Sequence, residues 1–328
     1  MDTGGYIKRI SLLTLVVVIV AIVVSLTWWR WPRQVAKFVS PLIEVQEKPL
    51  AKYSFERLRQ KDYQGGEITV DGDKFFLTYE SKRVSGQINI PPGNPPAGGW
   101  PVVVMLRGYV DKEVYETGVG TRKVAAVLAQ NGFMTLAPDW LGYGASDPES
   151  NDILEARFEK IVTAMYLIKA IDYLPNANSH KLALWGHSNG GQIALTVLAI
   201  SERSIPTALW APVSKPFPYS ILYYSDDLDD RGKMIRKAVA DFERDYNADD
   251  YSVTNYYHYI KEPLQIHQGT ADEAVPKTWS DQLVEDLKRV MTDITYYVYT
   301  GADHNMNPAW NTVVARDVAF FIDSLNRF

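Results

Sequence analysis

Leu182-Ala183-Leu184-Trp185-Gly186-His187-Ser188-Asn189-Gly190 runs from an apolar stretch into a serine flanked by glycines, and the residues to about Ile200 follow with a helical pattern. Strand, sharp turn and helix in that order form the local geometry of a nucleophile elbow, which lifts a serine hydroxyl above the end of a strand. The glycines suit it because the turn strains the serine backbone and bulky neighbours would collide with the adjacent strand and helix. Such a pentapeptide also occurs as an ordinary tight turn. Its setting here predicts Ser188 as a nucleophile.

Two further residues are expected just beyond strand ends. Pro263 to His267 reads as a short buried strand, and the turn-rich loop from Gln268 to Pro276 places Asp272 after it. The β-branched and aromatic run Ile294 to Tyr299 leads into Thr300-Gly301-Ala302-Asp303-His304. Singly, Asp272 reads equally as a turn or cap residue, and His304 as a loop histidine bonded to backbone. Jointly, the chain order Ser188, Asp272, His304 is that of a triad on one edge of a parallel sheet. A serine hydroxyl is a weak nucleophile at neutral pH. His304 is therefore expected to take its proton, while Asp272 fixes the imidazole tautomer and stabilises the imidazolium.

Acyl transfer also needs donors aimed at the tetrahedral oxyanion. Asn189 N–H, opening the helix after the nucleophile, is the first candidate. The run Pro101 to Leu106 reads as an early strand, and its loop Arg107-Gly108-Tyr109-Val110 offers the Tyr109 N–H as the second. The Tyr109 phenol either reaches the oxyanion as well or lines the cleft. Arg107, close to a buried strand, is expected to pair with a carboxylate and so brace that loop.

Taken together these motifs resemble the α/β-hydrolase superfamily, in particular the catalytic domain of the prolyl oligopeptidase and dipeptidyl-peptidase group and its esterase-like relatives. The resemblance rests on Gly186 to Gly190, Ile266-His267-Gln268-Gly269-Thr270-Ala271-Asp272 with Val275-Pro276, Gly301-Ala302-Asp303-His304, and Asn131-Gly132-Phe133-Met134 through Asp139-Trp140-Leu141-Gly142-Tyr143-Gly144-Ala145-Ser146. It implies an α/β-hydrolase fold, a mostly parallel central sheet with helices on both faces, and a serine hydrolase needing no cofactor. The large peptidases of that group carry an N-terminal β-propeller. None fits ahead of the first hydrolase strand here, so their exopeptidase specificity does not transfer. Two substrate classes stay open: amide bonds of short peptides, the leading expectation, and small or acyl esters for a carboxylesterase or lipase-like enzyme. A noncatalytic binding protein is disfavoured by the intact set of nucleophile, acid and base.

Residues 10–29 contain no charge and are mostly apolar. As a helix they would be about 30 Å long, the thickness of a bilayer core. Lys8 and Arg9 precede them and Trp28, Trp29, Arg30 and Trp31 follow as an interface marker. The expectation is a single-pass anchor in a lipid bilayer, with the catalytic domain on the extracytoplasmic side. The predicted organisation is a tail and anchor over 1–33, a juxtamembrane segment over 34–65, and a catalytic domain over 66–328 with a lid insertion at 217–261. That insertion alternates tyrosines with aspartates. The aspartates suit an acidic helix start and a solvated face, or attraction of a cationic group.

The chain has 328 residues, a net charge of −5 and no cysteine. Disulfides, thiolate metal sites and a cysteine nucleophile are excluded. Without a basic tract beyond the membrane flank, nucleic acid is not an expected partner. The five histidines do not fall into metal-ligand spacing, so no metal is expected.

Overall fold

The computed structural model describes residues 17–23, 25 and 48–327, apart from 65, 202, 262, 291 and 292. The chain divides into two compact units, Met1–Glu47 and Lys48–Phe328. Of the first unit only 17–23 and Ser25 are described, and they are helical.

The membrane expectation is corrected. Among the described residues no helix is long and apolar enough to cross a membrane. Residues 10–16, 24 and 26–29 of the predicted anchor lie outside the described residues. The anchor, the bilayer contact and the extracytoplasmic placement that depended on it are not retained.

In the second unit a nine-stranded sheet has the order β1-β2-β3-β5-β4-β6-β7-β8-β9. The strands are β1 (Glu67–Asp71), β2 (Lys74–Tyr79), β3 (Lys82–Asn89), β4 (Trp100–Leu106), β5 (Met134–Pro138), β6 (Ala177–His187), β7 (Thr207–Trp210), β8 (Leu264–Gly269) and β9 (Ile294–Tyr299). The sheet is mixed, which amends the mostly parallel one expected. β1, β2 and β3 are a meander joined by tight turns and pair antiparallel, β3 meets β5 antiparallel, and from β5 through β9 every pairing is parallel. The connections explain the difference: short turns force antiparallel neighbours, whereas long helical crossovers permit parallel ones.

This unit has eight described α-helices: α1 (Phe55–Gln60), α2 (Arg122–Gln130), α3 (Ile153–Ala170), α4 (Asn189–Ile200), α5 (Tyr219–Leu222), α6 (Lys233–Asp245), α7 (Lys277–Lys288) and α8 (Trp310–Leu325). Period-two alternation in β4 serves two cores. Val102, Val104 and Leu106 join the layer under α3 and α4, while Val103 and Met105 join that under α2 and α8. Both faces of the strand are thus buried, as its unbroken apolar run requires.

The segment ahead of β1 also enters the core: Leu50, Tyr53, Phe55, Leu58 and Tyr63 are buried, and the Phe55 ring stacks on Tyr256 with centroids 3.6 Å apart. Across the chain, the 217–261 segment docks through Phe217, Ile235, Val239, Phe242 and Tyr257. Its aspartates serve local ends. Asp230 accepts the Gly232 and Met234 N–H groups at the start of α6, and Asp226 pairs with Arg236.

Candidate active site

β6 delivers Ser188 and α4 begins at Asn189. Ser188 has φ 56° and ψ −122°, the strained left-handed backbone expected of an elbow. Its N–H donates to the Trp210 carbonyl, and its own carbonyl accepts from Gly191 and Val213. The elbow is thereby tied to β7 and to α4. Gly190 cannot carry a side chain, because a Cβ would drive into the Leu106 carbonyl at the end of β4.

Beyond β8, Asp272 is buried in a loop that satisfies both carboxylate oxygens. Oδ1 accepts from the Ala274 and Val275 N–H groups at 2.9 and 2.8 Å, and Oδ2 from the Gln268 amide at 3.0 Å. His304 Nδ1 lies 3.0 and 2.9 Å from the two oxygens. Burial pushes the Asp272 pKa up, but the hydrogen bond and charge of His304, the Val275 N–H and the Gln268 amide outweigh it and hold the carboxyl below its ordinary value. Facing a carboxylate, Nδ1 carries the proton, which leaves Nε2 with a free lone pair.

The elbow and the His304 loop also touch directly. The His187 and His304 rings are 4.6 Å apart between centroids, and His187 Nε2 sits 2.9 Å from the His304 carbonyl oxygen. Nε2 must be the protonated nitrogen there. Burial, followed by His304, lowers the His187 pKa to about 4, so its ring is neutral at physiological pH. Among the described residues no hydrogen bond joins the Ser188 hydroxyl to His304. Such contacts are commonly long without substrate and tighten in the complex.

The loop after β4 crosses the elbow. A Cβ on Gly108 would stand 2.9 Å from Ser188 Cβ and 3.4 Å from Ser188 Oγ, so the backbone passes the nucleophile at contact distance. Tyr109 is the next residue. Its ring is exposed, and Asp111, followed by partial burial, raises its pKa to about 12. The expected contribution of Tyr109 therefore rests on its N–H. Asn189 N–H, at the first position of α4, has no acceptor within the helix.

Arg107 braces this loop, without the carboxylate partner foreseen for it. Its guanidinium donates to the Gly108 and Asp139 carbonyls and lies 4.3 Å from the Tyr115 and Tyr143 ring centroids. The Asp139 carboxylate is instead held by Ser85, Tyr115 and Thr117.

Two contributors were not foreseen. Gln268, the strand residue four before Asp272, links the Asp272 carboxylate, the Val275 carbonyl and the Ser280 hydroxyl. In sequence it falls within the turn-rich loop, whereas the strand runs on to Gly269 and buries it. Gly108 was quoted only as part of a loop, and its tight approach to Ser188 is a tertiary fact that no local pattern encodes. His267, by contrast, lies away from the triad in a buried network with Asp317, Gln265 and Tyr299. Among the described residues no group of histidines and carboxylates could hold a metal ion.

A family model described as alpha/beta hydrolase fold matches residues 101–208. A dipeptidyl peptidase family member 6 from Caenorhabditis elegans is 25% identical over 145 residues, covering 42% of this chain and 19% of that relative, so the chain spans a minor part of its length. Est1E from Butyrivibrio proteoclasticus superposes with a TM-score of 0.58 at 15% identity, over 78% of this chain and 100% of that one. The Pyrococcus furiosus esterase Pf2001 does so with a TM-score of 0.58 at 20% identity, over 79% and 94%. These likenesses concern the fold; with no membrane-crossing helix among the described residues, the expectation of a membrane-anchored peptidase is corrected. Fold and homology together support an enzyme of the serine-hydrolase type, and the fold is that of the α/β hydrolases.

Proposed function

We propose that the chain is a carboxylesterase or lipase-type serine hydrolase acting on small or acyl esters. The observation that carries this reading is the His304 imidazole, held through Nδ1 by the buried Asp272 carboxylate at 2.9 Å, with its loop bonded to the residue preceding the strained Ser188. Ser188 Oγ attacks the ester carbonyl while His304 Nε2 takes its proton. The oxyanion is received by the Asn189 and Tyr109 N–H groups. His304 then returns the proton to the departing alkoxide, and water activated by the same nitrogen attacks the acyl-enzyme, releasing the acid and restoring Ser188.

The esterase names of Est1E and Pf2001 support ester substrates for this fold. The peptidase-like motifs around Ser188, Asp272 and His304, with the 25% identity to a dipeptidyl peptidase family member, support a lineage close to the prolyl oligopeptidase and dipeptidyl-peptidase catalytic domains, adapted to another bond.

The test compares 4-nitrophenyl butyrate with the matched 4-nitroanilide. Ester turnover that Ser188→Ala abolishes, with the anilide left uncut, is the expected result. Ester turnover that persists in Ser188→Ala overturns the assignment.

A further inference from the structure

Arg157 and Lys160 lie one turn apart on α3, and the mechanism uses neither. Residues at that spacing share a helix face. Both are half-buried, and among the described residues neither has an ion-pair or hydrogen-bond partner. Carboxylates in the neighbourhood are already engaged: Glu159 by Lys82, Glu149 by Lys112, and Asp272 by His304. Two like charges on one partly buried face are unfavourable unless an anion joins them.

Arg157 also lines a cavity of about 60 Å³ that starts at Asn189, next to Ser188, and includes Gln192, Phe217, Ser220 and Ile221. Ser220 is only 2% exposed, and its hydroxyl has no hydrogen-bond partner. The buried Tyr224 hydroxyl is also without a partner. The Tyr109, Tyr224 and Tyr143 phenols lie within electrostatic range of Arg157. A guanidinium without a counter-ion beside hydroxyls without an acceptor is a site short of one acceptor group. A carboxylate supplies it, with two oxygens matched to the guanidinium fork.

Resting on the ester-hydrolase reading above, we propose that Arg157, assisted by the Ser220 hydroxyl, binds a carboxylate carried on the acyl half of the substrate. A water needs roughly 10–15 Å³ of such space, so the cavity admits a carboxylate with a short stem, and Phe217 and Ile221 give the methylenes an apolar wall. The acyl half is assigned by direction. The leaving group must face His304 to be protonated, and no residue of the His304 or Asp272 loop lines this cavity. Neutral acyl chains leave the polar groups unpaired, which is how such sites discriminate.

The experiment measures kcat/KM for mono-4-nitrophenyl glutarate and for 4-nitrophenyl butyrate. The charged-to-neutral ratio is expected to fall at least about tenfold in Arg157→Met and in Ser220→Ala, with part of it kept in Arg157→Lys. In parallel, calorimetry follows glutarate binding to the full chain carrying Ser188→Ala, which should weaken by at least about tenfold when Arg157→Met is added. Melting curves confirm that the variants are folded. A ratio and a glutarate affinity both indifferent to Arg157 overturn the proposal while leaving Ser188-dependent turnover intact. Arg157-dependent glutarate binding without any Ser188-dependent turnover sinks the hydrolase reading and supports the anion site.

Discussion

His187 Nε2–H donates to the His304 carbonyl oxygen at 2.9 Å, so the residue preceding the nucleophile holds the loop that carries the base. The bond ties the end of β6 to the turn after β9, two strands with β7 and β8 between them. It joins the two halves of the site below the reacting atoms.

The burial of His187 carries a pH dependence. The folded state keeps His187 neutral, with its pKa lowered from 6.5 to about 4 by burial and by His304. Its contribution to stability is therefore complete above 6.5 and is lost as pH falls through about 4. A depression of that size corresponds to roughly 3 kcal/mol. Urea midpoints between pH 7 and 4.5 should drop more steeply for the native chain than for His187→Gln, and parallel curves would contradict the account.

Asp272 shows the same sign at lower pH. Its carboxyl is held below the ordinary value of 3.8, so the stability it contributes is present above that value and lost as pH falls below it. Its catalytic share is larger. Asp272→Asn should lower kcat about 10³- to 10⁴-fold with KM little changed, because the imidazole then loses both tautomer control and a counter-charge. Steady-state kinetics decide this.

Gly108 is predicted to matter for rate more than for folding. A methyl there would lie 2.9 Å from Ser188 Cβ, so the loop or the nucleophile must shift. Gly108→Ala should cost about tenfold or more in kcat/KM, since small misplacements of reacting atoms are expensive, with a melting temperature near that of the native chain. Gly190→Ala meets the Leu106 backbone carbonyl instead and should fail to give folded protein in a thermal-unfolding assay.

The buried network under the sheet is structural. Asp317 accepts from Trp210 Nε1, Gln265 Nε2 and His267 Nε2 with no exposure to solvent. Asp317→Ala strands all of these donors and should cost about 3–5 kcal/mol by urea unfolding. The fraction that remains folded should keep its kcat. A kcat that falls with the variant would assign the network to catalysis.

Much of this arrangement was legible because the motifs are local. The elbow needs small residues beside Ser188, and Asp272 and His304 follow runs with strand composition, so their places at strand ends could be read from order alone. What escaped depends on distant chain segments meeting. Gly108 touches Ser188, Gln268 closes the Asp272 loop, and Arg157 faces the elbow helix from α3. The apolar run at 10–29 was read from hydropathy and length alone; most of it lies outside the described residues, and among those no helix is long and apolar enough to cross a membrane.

The most direct measurement is intact and peptide mass spectrometry of the full chain after reaction with a fluorophosphonate, followed against ester turnover. The account predicts a single adduct on Ser188, loss of turnover in step with labelling, and a marked slowing of labelling in His304→Ala. Labelling confined to another residue, or full turnover after Ser188 is modified, would contradict it.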